Sequence, residues 1–311
     1  MAQLSERRFE KMLNYSNVTG NDSAKDYFNC VLHNISCART IVIANSAINA
    51  PLMIISILGN SMVLTAILRS PSLRSPSIIL LCSLAVSDLL VGLVVQPLYI
   101  ASNLSKIYLL NTTWFMLTFA ACGISLCSIT TISVDRFLAL HYHMRYPAIV
   151  TTFRAKLILA IMWITIFLLS GVYYWSQWGY FLLVALGVCL CLKISIYSYI
   201  RIYRIVRRQQ IQINCQQQAV NLQTENVSSM LQLKKSALNS FLFFIVMVLF
   251  YFPMSVAMSL YVITKDWQKP WSFATTAVFM NSAVNPFLYC WRLRELRAAV
   301  VKTFRKIFRK Q

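Results

Sequence analysis

Ser133-Val134-Asp135-Arg136-Phe137 closes an apolar run: from Leu110 to Val134, through Ser125, no side chain is charged, and then a carboxylate and a guanidinium stand side by side. A segment of that length and composition can lie in hydrocarbon, so the pair marks where membrane gives way to water. Arg136 is permanently cationic, and Asp135 can hold it in one state and release it to another partner in a second. A basic residue at the end of any membrane helix also serves as an interfacial anchor. The rest of the chain decides between the two readings.

Composition sets the class. With 58% hydrophobic and 12% charged residues in a 311-residue chain, the sequence is unlike a soluble domain, in which about a quarter of residues are charged. The formal charge of +20 suggests no nucleic-acid partner, because the basic residues fall between apolar runs and report topology.

The first forty residues are polar, with no apolar stretch near Met1 suited to a cleaved signal peptide. Four Asn-x-Ser/Thr sequons, at Asn14, Asn17, Asn21 and Asn34, predict an extracellular, glycosylated tail over 1–40. Cys30 and Cys37 share that tail; a lumenal setting permits them to pair, and two free thiols is the other reading.

Apolar spans run over 41–68, 76–102, 110–140, 157–192, 236–264 and 270–291. The fourth is too long for one helix of about 20 residues and suits two. Ser176-Gln177-Trp178-Gly179 supplies a turn, predicting helices over about 154–174 and 179–207. Seven crossings with the N-terminus outside then place twenty Lys/Arg on the cytoplasmic side and eight outside, as positive-inside topology requires. The twenty-ninth, Lys193, falls within the fifth span. The Gln-rich stretch 209–232 reads as a mobile inner loop. After the receptor domain 41–291, residues 292–311 place Leu293, Leu296, Val300, Phe304, Ile307 and Phe308 at helical intervals among Arg and Lys, an amphipathic helix for the inner leaflet.

Polar groups inside the spans are expensive without partners and so carry function. Asp88 is the lone acid of the second span; Gly59-Asn60, Ser125, Asn281-Ser282 and Asn285-Pro286-Phe287-Leu288-Tyr289 accompany it. Gly-Asn in helix one, Leu84-Ala85-x-x-Asp88 in helix two, Asp135-Arg136-aromatic in helix three, Trp163 in helix four, Pro253 in helix six and Asn-Pro-x-x-Tyr in helix seven resemble, in order, the rhodopsin-like (class A) G-protein-coupled receptors. The resemblance covers roughly 41–305 and implies an all-α seven-transmembrane bundle, multi-pass in the plasma membrane. It implies an activation switch of Asp135, Arg136, Tyr199, Pro253, Asn285, Pro286 and Tyr289, the two tyrosines bridging toward Arg136 in the active state. It also implies an allosteric sodium pocket of Asp88, Ser125, Asn281, Ser282 and Asn285; a protonated, hydrogen-bonded Asp88 is the other reading. No further cofactor is expected.

Departures from the family pattern narrow the group. Asn111 stands where a disulfide cysteine usually ties helix three to the second outer loop, Cys191 where helix five usually has proline, and Tyr251 where helix six usually has Trp. With Arg136 followed by Met144-Arg145-Tyr146, the pattern resembles the melanocortin receptors, within a wider group holding the adenosine, cannabinoid and lysophospholipid receptors. Ligand residues of those relatives do not carry over. Leu98, Asn111 and Phe115 replace the melanocortin acids, Met258 the adenosine Asn, Thr118 the amine-binding Asp, and Phe279 the opsin Lys.

Gln96, Tyr99, Thr118, Phe119, Met254, Met258, Tyr261, Phe273 and Thr276 are the candidate ligand residues, an apolar and aromatic set. The reading is a receptor, not an enzyme, for an extracellular small-molecule, lipid or peptide ligand. Its partner is a heterotrimeric G-protein that modulates adenylate cyclase. The alternative, a seven-helix transporter or ion pump, needs a Schiff-base Lys in helix seven or acidic relays, and neither is present.

Overall fold

The computed structural model describes residues 22–70, 75–105, 107–219, 245–260, 268–292 and 294–308. By contact the chain divides into two units, Met1–Ala47 and Ile48–Gln311; the packing below belongs to the second. All regular structure in the described residues is helical. The helices are α1 (Asp22–Arg69), α2 (Pro76–Ser105), α3 (Tyr108–Tyr142), α4 (Thr152–Tyr174), α5 (Gln177–Ala219), α6 (Ile245–Leu260), α7 (Gln268–Arg292) and α8 (Arg294–Phe308). From Thr40 on α1 through α5, five are long and apolar enough to cross a bilayer. Residues before Ile245 lie outside the description of α6. The apolar character of α7 is diluted by Thr275, Thr276, Asn281, Ser282 and Asn285, all buried. The architecture is the expected seven-helix membrane bundle followed by a short amphipathic helix.

Local chemistry sets the helix starts. Ser75 caps α2, accepting from the Ile78 amide with Pro76 in the first turn, and Thr151 caps α4, accepting from Arg154. Ser176 does the same for α5, its Oγ accepting from the Gly179 amide at 3.1 Å. The turn between α4 and α5 is therefore Trp175-Ser176, and Gln177-Trp178-Gly179, expected in the turn, form the first turn of α5. In α2, Pro97 lacks the N–H that a regular helix would use, and the chain adapts through a π-helical turn at Val91–Val95 in which the Gln96 amide bonds the Val91 carbonyl. Gln96 and Tyr99, just beyond it, are buried.

One expectation is corrected. The stretch 209–232 was expected to be loop from its start, yet α5 continues to Ala219; Gln is a good helix former, and no Gly or Pro interrupts 208–219. Cys30 and Cys37 both lie within α1. Their side chains lie outside the described residues. Asn14, Asn17 and Asn21 lie outside the described residues, as do the side chain of Asn34 and all of Tyr261.

α3 is the axis of the bundle, packed by α2, α4 and α5. Trp163 on α4 donates to Ser83 on α2 at 2.9 Å, and Ser83 meets Ser128 on α3 at 3.3 Å. Three helices are thus tied through one hydroxyl.

Candidate functional site

Candidate functional side chains lie at three levels of the bundle. At the first, Arg136 Nη2 is 3.2 Å from Asp135 Oδ2. Asp135 is almost fully buried and is held by two further donors, Ser77 Oγ at 2.7 Å and Tyr146 OH at 2.6 Å. Tyr146 lies on the short helix Tyr146–Ile149 after α3. Burial, then the bond to Asp135, push its hydroxyl up to about 12, so it stays a donor at physiological pH. Tyr199 on α5 meets Ser133 on α3 at 2.8 Å, one turn from Arg136, and packs with Ile202 and Val206 against Phe137 and Leu140. Tyr289 is fully buried. Neither Ser77 nor the role of Tyr146 was legible in sequence, since both reach Asp135 across turns.

At the second level, Asp88 is fully buried. Its Oδ2 accepts from Asn285 Nδ2 at 2.7 Å, and its Oδ1 lies 3.1 Å from Ser125 Oγ, with Ser282 beside the same carboxylate. Ser87, which sequence reasoning missed, stands 2.9 Å from Ser125. Asn60 donates to the Ser282 carbonyl at 3.1 Å, and Ser56 to the Asp88 carbonyl at 2.9 Å, so α1 braces α2 and α7 here. The amide oxygens of Asn60, Asn281 and Asn285 are buried without a donor. A carboxylate, hydroxyls and donor-free amide oxygens are the ligands a hard cation takes, so these residues fit one. No group of three or more His, Cys, Asp or Glu side chains among the described residues could hold a metal ion.

At the third level, a cavity of about 870 Å³ runs beside α5. Of the candidate ligand residues, Thr118, Phe119, Met254 and Met258 line it. Tyr99 packs instead with Trp114 and Phe279, Thr276 accepts from Asn49 Nδ2 at 2.9 Å, and Gln96 is fully buried. Phe273 is 60% exposed and outside the cavity. Tyr251, whose replacement of Trp is a family departure, lines the cavity and donates to the Cys122 carbonyl at 2.9 Å, tying α6 to α3. A cluster of rings unseen in the sequence crosses the same end of the bundle: Phe115 stacks on Trp271 (5.3 Å) and Tyr173 (5.8 Å), and Phe119 meets Tyr180 edge-on (5.3 Å).

With this geometry in place, known proteins can be compared. The "7 transmembrane receptor (rhodopsin family)" profile matches residues 59–181, from Gly59 through Asp88, Asp135-Arg136 and Trp163. The high-affinity lysophosphatidic acid receptor of Xenopus laevis is 24% identical over 93% of this chain and 92% of its own length. Adenosine receptor A2a of Cavia porcellus is 26% identical over 82% of this chain and 70% of its own. Octopamine receptor Oamb of Drosophila melanogaster is 34% identical over 35% of this chain and 18% of its own. These relatives are receptors and not enzymes. The profile match, the length-wide similarity and the polar pocket joining α2, α3 and α7 identify the chain as a multi-pass membrane protein, a rhodopsin-like (class A) G-protein-coupled receptor.

Proposed function

We propose that this receptor answers a neutral, largely apolar small molecule or lipid at the plasma membrane and modulates adenylate cyclase through its G-protein. The carrying observation is the cavity: among the described residues that line it, none is Lys, Arg, His, Asp or Glu. An amine such as the octopamine named for one relative would lack a counter-charge there, and a peptide would lack charged anchors. The lysophosphatidic acid receptor is similar along nearly the whole of both chains, which favours a chain-bearing ligand, although a phosphate head would find no cation among the described lining residues.

The mechanism follows from α6. Tyr251, Met254 and Met258 share one face of that helix, and Pro253 between them removes a backbone hydrogen bond where the helix can bend. A ligand against Met254 and Met258 competes with the Tyr251 bond to Cys122. Losing that bond frees the far end of α6 from α3, shifting the population toward a crevice open at Arg136. Asp88, Ser125, Asn281, Ser282 and Asn285 would hold a sodium ion, which supplies the positive charge the buried carboxylate lacks. Those residues join α2, α3 and α7 and favour the closed arrangement.

One experiment tests ligand class and pocket together. Purified receptor in nanodiscs with G-protein should exchange guanine nucleotide faster on addition of neutral long-chain amphiphiles. Replacing sodium by a bulky organic cation should raise their potency in the native protein and leave Asp88→Asn unmoved. Stimulation confined to cationic amines or peptides would refute the ligand reading, and an unchanged sodium shift in Asp88→Asn would refute the pocket.

Orientation is proposed on the sequons and the charge asymmetry: N-terminus outside, glycosylated, Arg136 facing the cytoplasm. A tag at Met1 should stain intact cells, and glycosidase should lower the apparent mass. Staining that requires permeabilisation inverts the arrangement.

A further inference from the structure

Among the described residues, rings wall the cavity at the end a water-borne ligand would reach, and its side lies open where lipid lies. Phe115, Trp271 and Tyr180 are each at most 4% exposed, and their ring contacts join α3, α7, α4 and α5 across the mouth. Sideways the barrier is missing. α5 packs along α3 and meets α4 chiefly through the turn Gly171–Tyr174, leaving the cavity to run past Ile166 and Leu169 on one flank of α5 and Phe252 on the other. Leu182 and Phe252 line it and are also 62% and 64% exposed, so the cavity reaches the face that hydrocarbon covers. At Gly187, also in the lining, an added Cβ would meet nothing within 4 Å. Tyr180, in the wall, keeps a buried hydroxyl with no hydrogen-bond partner, an expense that a ligand oxygen would remove.

We infer that a neutral single-chain lipid enters from the bilayer alongside α5, its chain running past Gly187 and its polar end reaching Tyr180. The inference rests on the ligand class proposed above and adds the site and the route. The volume, about 870 Å³, lies within the range of ligand pockets. The uncharged lining selects a hydroxyl or ester head over a phosphate. Each methylene buried tightens binding by roughly fourfold until the cavity is full.

The test uses the full chain in nanodiscs and an octadecenoyl monoacylglycerol carrying a mid-chain diazirine. Irradiation should label peptides spanning 178–192 and 248–259. Unlabelled monoacylglycerol should compete the label away, and lysophosphatidic acid of equal chain length should compete at least tenfold less well. Gly187→Trp, whose indole fills the open space, should reduce labelling at least tenfold while Gly187→Ala retains it. Tyr180→Phe should weaken labelling by the glycerol ester several-fold and leave a diazirine-bearing octadecane unchanged. Label spread over all bilayer-facing helices, or indifferent to Gly187→Trp in a variant that melts like the native protein, would mean annular lipid only and overturn the site. Equal competition by lysophosphatidic acid would overturn the neutral head. Labelling that meets every expectation while the lipid leaves nucleotide exchange unmoved keeps the site and refutes the ligand reading. Exchange that responds while the label stays annular does the reverse.

Discussion

Asp135→Asn should raise agonist-independent guanine-nucleotide exchange about tenfold at matched surface expression. Arg136 is held by a carboxylate that is itself fixed from two other directions, by Ser77 and Tyr146. A hydrogen bond between charged partners contributes about 1.5–3 kcal/mol when sheltered. Asp135 is 4% exposed, but the Arg136 side chain is 24% exposed, so the lower end of that range applies. About 1.4 kcal/mol is tenfold in population, enough to lift an active fraction from about 1% toward 10%. Tyr146→Phe removes one neutral donor and should act in the same direction by only a few-fold, about 0.5–1 kcal/mol. A further restraint common in the family, an acid at the start of α6 that accepts from Arg136, is absent from the sequence. No Asp or Glu occurs between Glu225 and Asp266, and Leu233-Lys234-Lys235 stand in that region, outside the described residues. Basal signalling should therefore already be appreciable in the native receptor, and Leu233→Glu should lower it. Exchange is measured on membranes of graded expression. An Asp135→Asn variant no more active than the native protein, or a Leu233→Glu variant with undiminished basal output, would show that Arg136 is restrained elsewhere.

Gly59→Val should cost about 2–3 kcal/mol and most of the surface expression, whereas Gly187→Ala should add stability. A Cβ at Gly59 would come within 2.8 Å of the Pro286 ring, and a proline ring cannot rotate aside. α1 and α7 must separate, or α7 must shift at its Asn285-Pro286 step. Overpacking of this kind costs about 1–3 kcal/mol, and the two methyl groups of Val place the loss near the top of that range. At Gly187 nothing opposes a methyl group, and Ala in place of Gly within a helix adds up to about 1 kcal/mol. Thermal unfolding of purified protein in detergent reads both. A Gly59→Val protein that melts at the native temperature would mean that α1 and α7 are not in this contact.

These two glycines mark the division between what residue order shows and what it hides. Both sit in apolar helices, and composition does not distinguish them. The pocket around Asp88 was legible because a lone carboxylate among apolar residues demands hydrogen-bonding partners, and Ser125, Asn285 and Ser282 surround it. Half of the eight described candidate ligand residues fall outside the cavity. Thr118, Phe119, Met254 and Met258 follow from the helix face they occupy, but Gln96, Tyr99, Phe273 and Thr276 lie elsewhere, because which faces of α2 and α7 meet the cavity is set by packing between helices. The Gln-rich stretch was misread at its start because polarity was taken for disorder, while Gln favours helix and nothing broke it before Ala219.

By itself, the sequence determined that this protein spans the membrane, how many times, and which polar residues gather around Asp88. Hydrocarbon enforces those features residue by residue, since a charge or an unpaired polar group within it is too costly to be casual. Only the tertiary structure decided that Asp135 is held by Ser77 and Tyr146, that Tyr251 straps α6 to α3, that rings close one end of the cavity, and that its open side lies along α5. Those are contacts between helices, and in a bilayer, where every outward face is apolar, the order of residues carries little record of which apolar face meets which.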